Sequence, residues 1–519
     1  MTIFQICAML IAKKMMKNQK KGVLGMKKLC LLLSLLLLLC GCGKNSDSTH
    51  LNTPVTETVS VSDDQLVTFD VYAINDLHGK FQDTAAQPGV DELSAYLRQA
   101  RQIDNTILLA TGDMWQGTSE SNLTGGLLIT EWLNEMDCAA MTMGGHEYDW
   151  GEEQIRKNRD AAQFPFLGIN VYSRETNKQT DYCQSSVIVE FDGAQIGIIG
   201  AIGDCYGSIA AENTKDVYFI TGDALTALVQ AESEKLRSQG ADFIIYAIHD
   251  GYDQNFDGVN PIDVEYLSYC DTALSDGYVD LVFEADSHYT YVLKDQYGVY
   301  HLQAGGNNSG ISHARVLLDL GRGDAYVFTA EHIPNSKYSF LEDDPVVDQL
   351  LEKYAEQIAP ATRTLGINRT YKSGKNICQL VADLYCRKGV EKWGQTYDIV
   401  LGGGYISCRS PGYLPAGEVT YSQLHSLLPF DNEITLCSIK GRDLLDKFLE
   451  TDHHAYYITT TAYGKTIRDS VDPDATYYVV TDSYSADYTY NNMTVIETYS
   501  ADRFARDLLA DYIAEGGLA

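Results

Sequence analysis

The sequence is short of positive charge. Lys and Arg number 39 against 71 Asp and Glu in 519 residues, a formal net charge of −32. A nucleic-acid polymer is gripped by neutralising its phosphates with Lys and Arg, so such a polymer is not an expected partner. Paired cysteines are also missing. Of 12 Cys, Cys7, Cys30, Cys40 and Cys42 lie in or at the end of an apolar leader, and the rest are scattered without a Cys-x-x-Cys pair. That excludes a zinc ribbon and a dense disulfide framework. The scattered thiols read as buried and free, with room for a bridge or two outside the membrane. Beyond the leader no apolar run is long enough to span a bilayer. The Gly305–Gly310 loop has no P-loop lysine and reads as a turn near a site. Nothing points to an obligate protein partner. What is present is ordinary globular composition, 45% hydrophobic and 21% charged, and length enough for two domains with cores.

Residues 26–41 read as a signal peptide: Met26-Lys27-Lys28, a Leu-rich run to Leu39, then Cys40-Gly41 before Cys42. Leu39-Cys40-Gly41-Cys42 resembles a bacterial lipobox, which implies cleavage before Cys42, lipidation of that residue and anchoring to the membrane outside the cytoplasm. A transmembrane anchor is the other reading, and the run is short for one. Residues 1–25 read as a start-codon misassignment. The polar stretch 42–65 reads as a flexible tether.

The first half is organised around Asn75-Asp76-Leu77-His78-Gly79, which follows a strand pattern over Val67–Ala73. Residues i and i+2 of a strand share a side, so Asp76 and His78 are expected to leave it together, a carboxylate and an imidazole suited to a divalent metal. Four more polar clusters follow apolar runs: Thr111-Gly112-Asp113, Gly144-Gly145-His146-Glu147-Tyr148-Asp149, His249-Asp250 and Glu284-Ala285-Asp286-Ser287-His288. Strand patterns at 106–110, 243–248 and 279–283 alternate with helix patterns at 90–101, 127–136 and 224–239. Asp192-Gly193-Ala194 marks a hairpin turn. The fold class is therefore α/β, with its polar residues at strand ends.

Asn-Asp-Leu-His-Gly, Gly-Asp-Met-Trp-Gln-Gly-Thr and Gly-Gly-His-Glu-Tyr-Asp resemble the calcineurin-like metallophosphoesterases, and more narrowly the bacterial 5'-nucleotidase / 2',3'-cyclic-nucleotide phosphodiesterase family. The resemblance implies a four-layer α/β sandwich over residues 66–335, a linker helix over 336–365 that lets two domains rotate, and a smaller α/β nucleotide-recognition domain over 366–519. It implies two divalent ions (Mn, Mg or Zn). Asp76, His78 and His288 would hold the first, Asp113 would bridge, and His249 would belong to the second. His146 would be catalytic, oriented by Asp149, with metal-bound hydroxide attacking phosphorus.

Two departures alter the second metal site. Gly145 stands where the family has a ligating Asn, and Asp286 where it has His. A carboxylate in place of imidazole shifts preference towards Mn²⁺ or Mg²⁺. His301, His313 and His425 match no ligand motif and read as structural; Trp115 and Trp150 read as packing residues.

In the second half, Asp343-Asp344-Pro345 opens a helix to about Ile358, stopping before Pro360. A helix is expected at 376–385 and a strand at 399–405. By resemblance Phe430 and Tyr484 sandwich a base and Asn432 contacts it. Stacking of this kind is worth about 1–3 kcal/mol per base. Ile406 stands at the family's phosphate-binding Arg. Arg409 either substitutes for it from a longer loop or is an ordinary surface Arg. Asp487 is a candidate base or ribose contact in a shortened loop. The expected activity is hydrolysis of extracellular nucleotides, a phosphoric monoester hydrolase of 5'-nucleotidase type. The alternatives are a nucleoside-binding lipoprotein with an incomplete second metal site, or a 2',3'-cyclic-nucleotide phosphodiesterase.

Overall fold

Alternation along the strands sorts their side chains between two apolar layers. In the strand Leu66–Ile74, Phe69, Val71 and Ala73 face one core while Tyr72 and Ile74 face another. In Phe243–His249, Phe243 and Ile245 join the first of these cores and Ile244 and Tyr246 a third. Period-two alternation with both faces apolar requires a sheet covered on both sides. The computed structural model describes residues 65–83, 88–209, 211–252, 262–263, 272–409, 411–448, 456–458, 471–486, 492–499 and 504–519. Cys42, Asp487, the leader and the tether therefore lie outside the described residues.

Two sheets pack face to face. One has six strands in the order 324–334, 310–319, 66–74, 105–110, 140–142, 166–167. The other has seven, in the order 262–263, 290–294, 300–304, 281–283, 243–249, 194–202, 186–191. The helices Asp91–Arg101 and Leu127–Glu135 cover the first sheet and Gly222–Ser238 the second. This is the four-layer α/β sandwich expected. The hairpin turn forms at Asp192-Gly193, both with positive φ, between paired Phe191 and Ala194.

The helix Pro345–Lys353 begins as its sequence implies. The Asp344 carboxylate accepts from the Val346 N–H at 3.0 Å. Val346, Val347 and Leu350 bury against the first sheet's helices. The helix breaks at Tyr354, resumes over Ala355–Ile358 and stops there before Pro360, as its sequence implies; a 3₁₀ turn follows over Ala359–Thr362. The second half builds a five-stranded sheet in the order 456–458, 399–405, 476–482, 434–440, 494–498. Packed on it is the helix Gly374–Trp393, longer at both ends than its sequence pattern suggests. Ser119 bonds Ser422 at 2.8 Å, and Asn122 donates to the Pro429 carbonyl at 3.1 Å. These contacts seat the second half on the short helix Ser119–Leu123, which follows the first metal motifs.

Candidate active site

The loops after strands 66–74, 105–110, 140–142, 243–249 and 281–283 meet at one place. Asp76 and His78 do not reach it by strand alternation. The strand ends at Ile74, and both residues take left-handed backbone, φ 49°. Asp113, Asp286 and His288 do the same. Half of the ten described non-glycine residues with positive φ are thus expected metal ligands. Asp and His tolerate this region better than most side chains, and surrounding bonds hold it. The N–H groups of Asp76 and His78 donate to the carbonyls of Gly112 and Asp113 at 3.1 and 3.0 Å, and Asn307 N–H donates to the Asp76 carbonyl at 2.7 Å. The Asn75 amide donates to Asp76 Oδ2 at 2.6 Å while its oxygen accepts from Ala304 N–H. Gly112 is required: a Cβ there would fall 2.5 Å from His249 Nδ1.

Two groups of donor atoms result, Asp76–His78–His288 and Asp76–Asp113–His249, each with its atoms within 4.8 Å of one another. Asp76 is common to both. Asp113 lies between them, Oδ2 being 4.0 Å from His78 Nε2 and Oδ1 3.2 Å from His249 Nε2. The tautomers follow from the partners. His78 Nδ1 lies 3.0 Å from the Gln116 carbonyl and His249 Nδ1 2.8 Å from the Thr111 carbonyl. A carbonyl only accepts, so each Nδ1 carries a proton, and in the neutral ring each Nε2 turns a lone pair inward. His78 Nε2 faces His288 Nε2 at 3.1 Å, and His288 Nε2 is 3.3 Å from Asp76 Oδ1. The buried His249 Nε2 makes no well-directed hydrogen bond, although Asp113 is close. Imidazole nitrogens and carboxylate oxygens gathered at such distances suit a cation between them. Donors about 2.0–2.2 Å from one ion sit about 3 Å apart, so both groups fit divalent ions. Burial and neighbouring His288 push His78 well below the usual imidazole range, which keeps it a neutral donor.

Asp286 is half-exposed and only approaches this centre. Its Oδ1 is 3.8 Å from His249 Nε2, and it belongs to neither close group. Its backbone N–H donates to Asp76 Oδ2 at 3.1 Å. Gly145 has ordinary helical backbone, φ −63° and ψ −47°, and no side chain to offer.

His146 is buried beside the centre. Its Nδ1 bonds Asp149 Oδ2 at 2.9 Å, its N–H donates to Asp113 Oδ1 at 2.8 Å, and its Nε2 lies 3.9 Å from Asp113 Oδ2. Burial opposes charge on this ring, but Asp149 and Asp113 outweigh it and raise His146 to about 9. Glu147, adjacent in the motif, has no role that its sequence pattern assigns. It is fully buried, and its carboxylate accepts three backbone N–H groups, those of Asp113, Met114 and Gly144, each at 2.8 Å. It fixes the loop that carries Asp113.

A cavity of about 340 Å³ opens beside His146 and Asp149 and is closed by the second half of the chain through Phe430, Asn432, Tyr484 and Arg409. The Phe430 ring is 5.4 Å from that of His146, and the Arg409 guanidinium lies 5.0 Å over Phe430. Arg409 is exposed and lines the cavity. Tyr484 donates to the Gly207 carbonyl at 2.7 Å. Trp150, expected only to pack, packs and also lines the cavity. Ile406 is buried at the cavity wall. Two further residues carry no signal in the sequence. Arg506 bonds Asp431 and donates to the Pro429 and Phe430 carbonyls at 3.2 and 3.1 Å, which sets the Phe430 loop. Asp482 lines the cavity, held by Tyr385 and Ser485. His301 and His313 are structural as expected, each between two carboxylates.

Paired carboxylate–imidazole donors at the strand ends of a two-sheet sandwich define a metallophosphoesterase centre. Comparison with known proteins agrees. Residues 355–495 match the model of the 5'-nucleotidase C-terminal domain. An apyrase of Tabanus yao is 25% identical over 72% of this chain and 72% of its own length. Human 5'-nucleotidase is 23% identical over 73% of this chain and 71% of its own. The fold is shared with the crystal structure of a 5'-nucleotidase precursor from Thermus thermophilus, at a TM-score of 0.67 and 17% identity, covering 87% of this chain and 96% of that one. Residues 355–495 thus form a 5'-nucleotidase C-terminal domain, and the chain as a whole is similar to 5'-nucleotidases, which are phosphoester hydrolases.

Proposed function

We propose that this protein removes the phosphate from nucleoside 5'-monophosphates outside the cytoplasm, tethered to the membrane through a lipid on Cys42. The domain limits implied by the sequence, 66–335, 336–365 and 366–519, are carried into this reading. The observation that carries the proposal is the position of His146, between the donor groups and the cavity capped by Phe430.

Asp76, His78 and His288 would hold one divalent ion, and Asp113, His249 and Asp286 with Asp76 the other. Ions held there would supply positive charge to the phosphoryl oxygens and lower the pKa of water. His146 keeps its Nδ1 on Asp149, so its other nitrogen faces the reacting phosphate. Held by Asp149, it can donate a proton to the leaving ester oxygen. Arg409 adds charge for the phosphate. Phe430 and Tyr484 offer faces to the base, and Asn432 an amide to its edge.

The test is phosphate release from 5'-, 3'- and 2',3'-cyclic nucleotides with Mn²⁺, Mg²⁺ or Zn²⁺, alongside His146→Ala. Turnover of the 5'-monophosphates that needs metal and His146 is expected. Absence of turnover with every metal, in folded protein, would overturn the reading. The altered positions Gly145 and Asp286 favour one other reading, a nucleoside-binding lipoprotein. It predicts retention of at most one ion per chain together with nucleoside binding.

A further inference from the structure

Two thiols meet behind the loop that carries Arg409. Cys378 is buried in the first turns of the helix Gly374–Trp393, and Cys408 follows the strand Ile399–Tyr405. Their sulfurs are 3.6 Å apart. Gly374 makes the approach feasible: a Cβ there would sit 3.3 Å from Cys408 Cβ, so its absence lets the loop lie on the helix start. Tyr405 N–H donates to Ser485 Oγ at 2.9 Å, and the Cys408 sulfur also lies 3.7 Å from the Gly374 carbonyl. Arg409 N–H donates to the Leu427 carbonyl at 2.9 Å, and Gly412 N–H closes on the Arg409 carbonyl at 2.7 Å. The residue after Cys408, Arg409, has its guanidinium over the Phe430 ring.

We propose that Cys378 and Cys408 form a disulfide that anchors the Tyr405–Arg409 loop to the helix Gly374–Trp393. A disulfide sulfur pair is about 2.05 Å apart, within a small side-chain shift of the separation here. The oxidant is a small disulfide such as oxidised glutathione. The thiolate of Cys408, the more exposed of the two, attacks one glutathione sulfur and displaces a glutathione thiolate. Cys378 then attacks the Cys408 sulfur of the mixed disulfide and displaces the second. The two protons shed by the cysteines end on the two glutathiones, and the two electrons lost by the cysteines reduce the glutathione disulfide. The bond restrains the loop, and so fixes the residue next to Cys408.

The whole protein, equilibrated with oxidised glutathione, is denatured, alkylated without reduction and mapped by peptide mass. The expected product is a peptide pair joined through Cys378 and Cys408, absent from Cys408→Ser. The amides of residues 406–409 are expected to exchange hydrogen several-fold more slowly in oxidised than in dithiothreitol-reduced wild-type protein, a comparison that needs no substitution. Finding both thiols alkylated after oxidation would overturn the proposal. So would a bridge whose reduction leaves loop exchange unchanged. Neither readout involves a nucleotide, so the proposed activity is tested separately.

Discussion

The Nε2 atoms of His78 and His288 face each other across 3.1 Å, with the Nδ1 of His78 committed to the Gln116 carbonyl. Without a cation the pair is held in opposition by loops that are themselves in left-handed backbone. Metal removal should therefore loosen this half of the molecule. Chelation is expected to lower Tm, and readdition of Mn²⁺ at 100 to 1,000 times its Kd to restore about 2.7–4.1 kcal/mol. Calorimetry with and without chelator checks this.

Glu147 has one function that sequence motifs do not advertise. Its carboxylate accepts from Asp113, Met114 and Gly144 N–H at once. Glu147→Gln would turn an amide NH₂ towards donors and free the Asp113 loop. Metal affinity should fall by about 10–100-fold, measured by chelator competition, with the overall fold retained by circular dichroism.

Gly145 can accept a side chain on backbone grounds, since its φ of −63° is helical. Gly145→Asn should add an oxygen donor facing the His249 group. A second equivalent of Mn²⁺ or Zn²⁺ should then survive gel filtration, read by elemental analysis. No gain in retained metal would show that Gly145 is not what weakens the second group.

His301 links stability to pH away from the metal centre. Burial opposes its charge, but Glu284 at 2.9 Å from Nδ1 and Asp295 at 3.3 Å from Nε2 raise it to about 9. The folded protein thus binds this proton more tightly than the unfolded chain, whose His titrates near 6.5. The contribution is complete below about 6.5 and fades as pH rises through about 9. Tm should fall across that window. His301→Gln should flatten the fall and cost about 3–5 kcal/mol by removing the cation between two buried carboxylates. His146 shares the window, so variant and parent are compared at each pH.

The donor set is legible in the sequence because Asp76, His78, Asp113, His249 and His288 each stand just past an apolar strand run. What places them is not. Alternation along a pleat would bring Asp76 and His78 together, yet the chain does it with two left-handed residues, which no residue pattern at that stretch announces. Phe430 and Asn432 are readable from Pro-Phe-Asp-Asn. Arg506, which holds that loop, is 75 residues from its partner Asp431 and lies in no motif. The only advance signal for Glu147 is its place beside His146. Asp286 shows the limit of substitution by analogy: its carboxylate is the right chemistry, but it stands half-exposed at the edge of the donors.

The left-handed backbone at positions 76, 78, 113, 286 and 288 also restricts how this centre can change over evolutionary time. Asp, Asn, His and Gly enter that conformation at low cost, and branched or bulky residues do not. Descendants of such a loop can trade nitrogen donors for oxygen donors, or lose a donor outright, while the scaffold stays intact. The loop's conformation thus acts as a filter on heritable variation, and it leaves metal preference free to drift where the fold cannot.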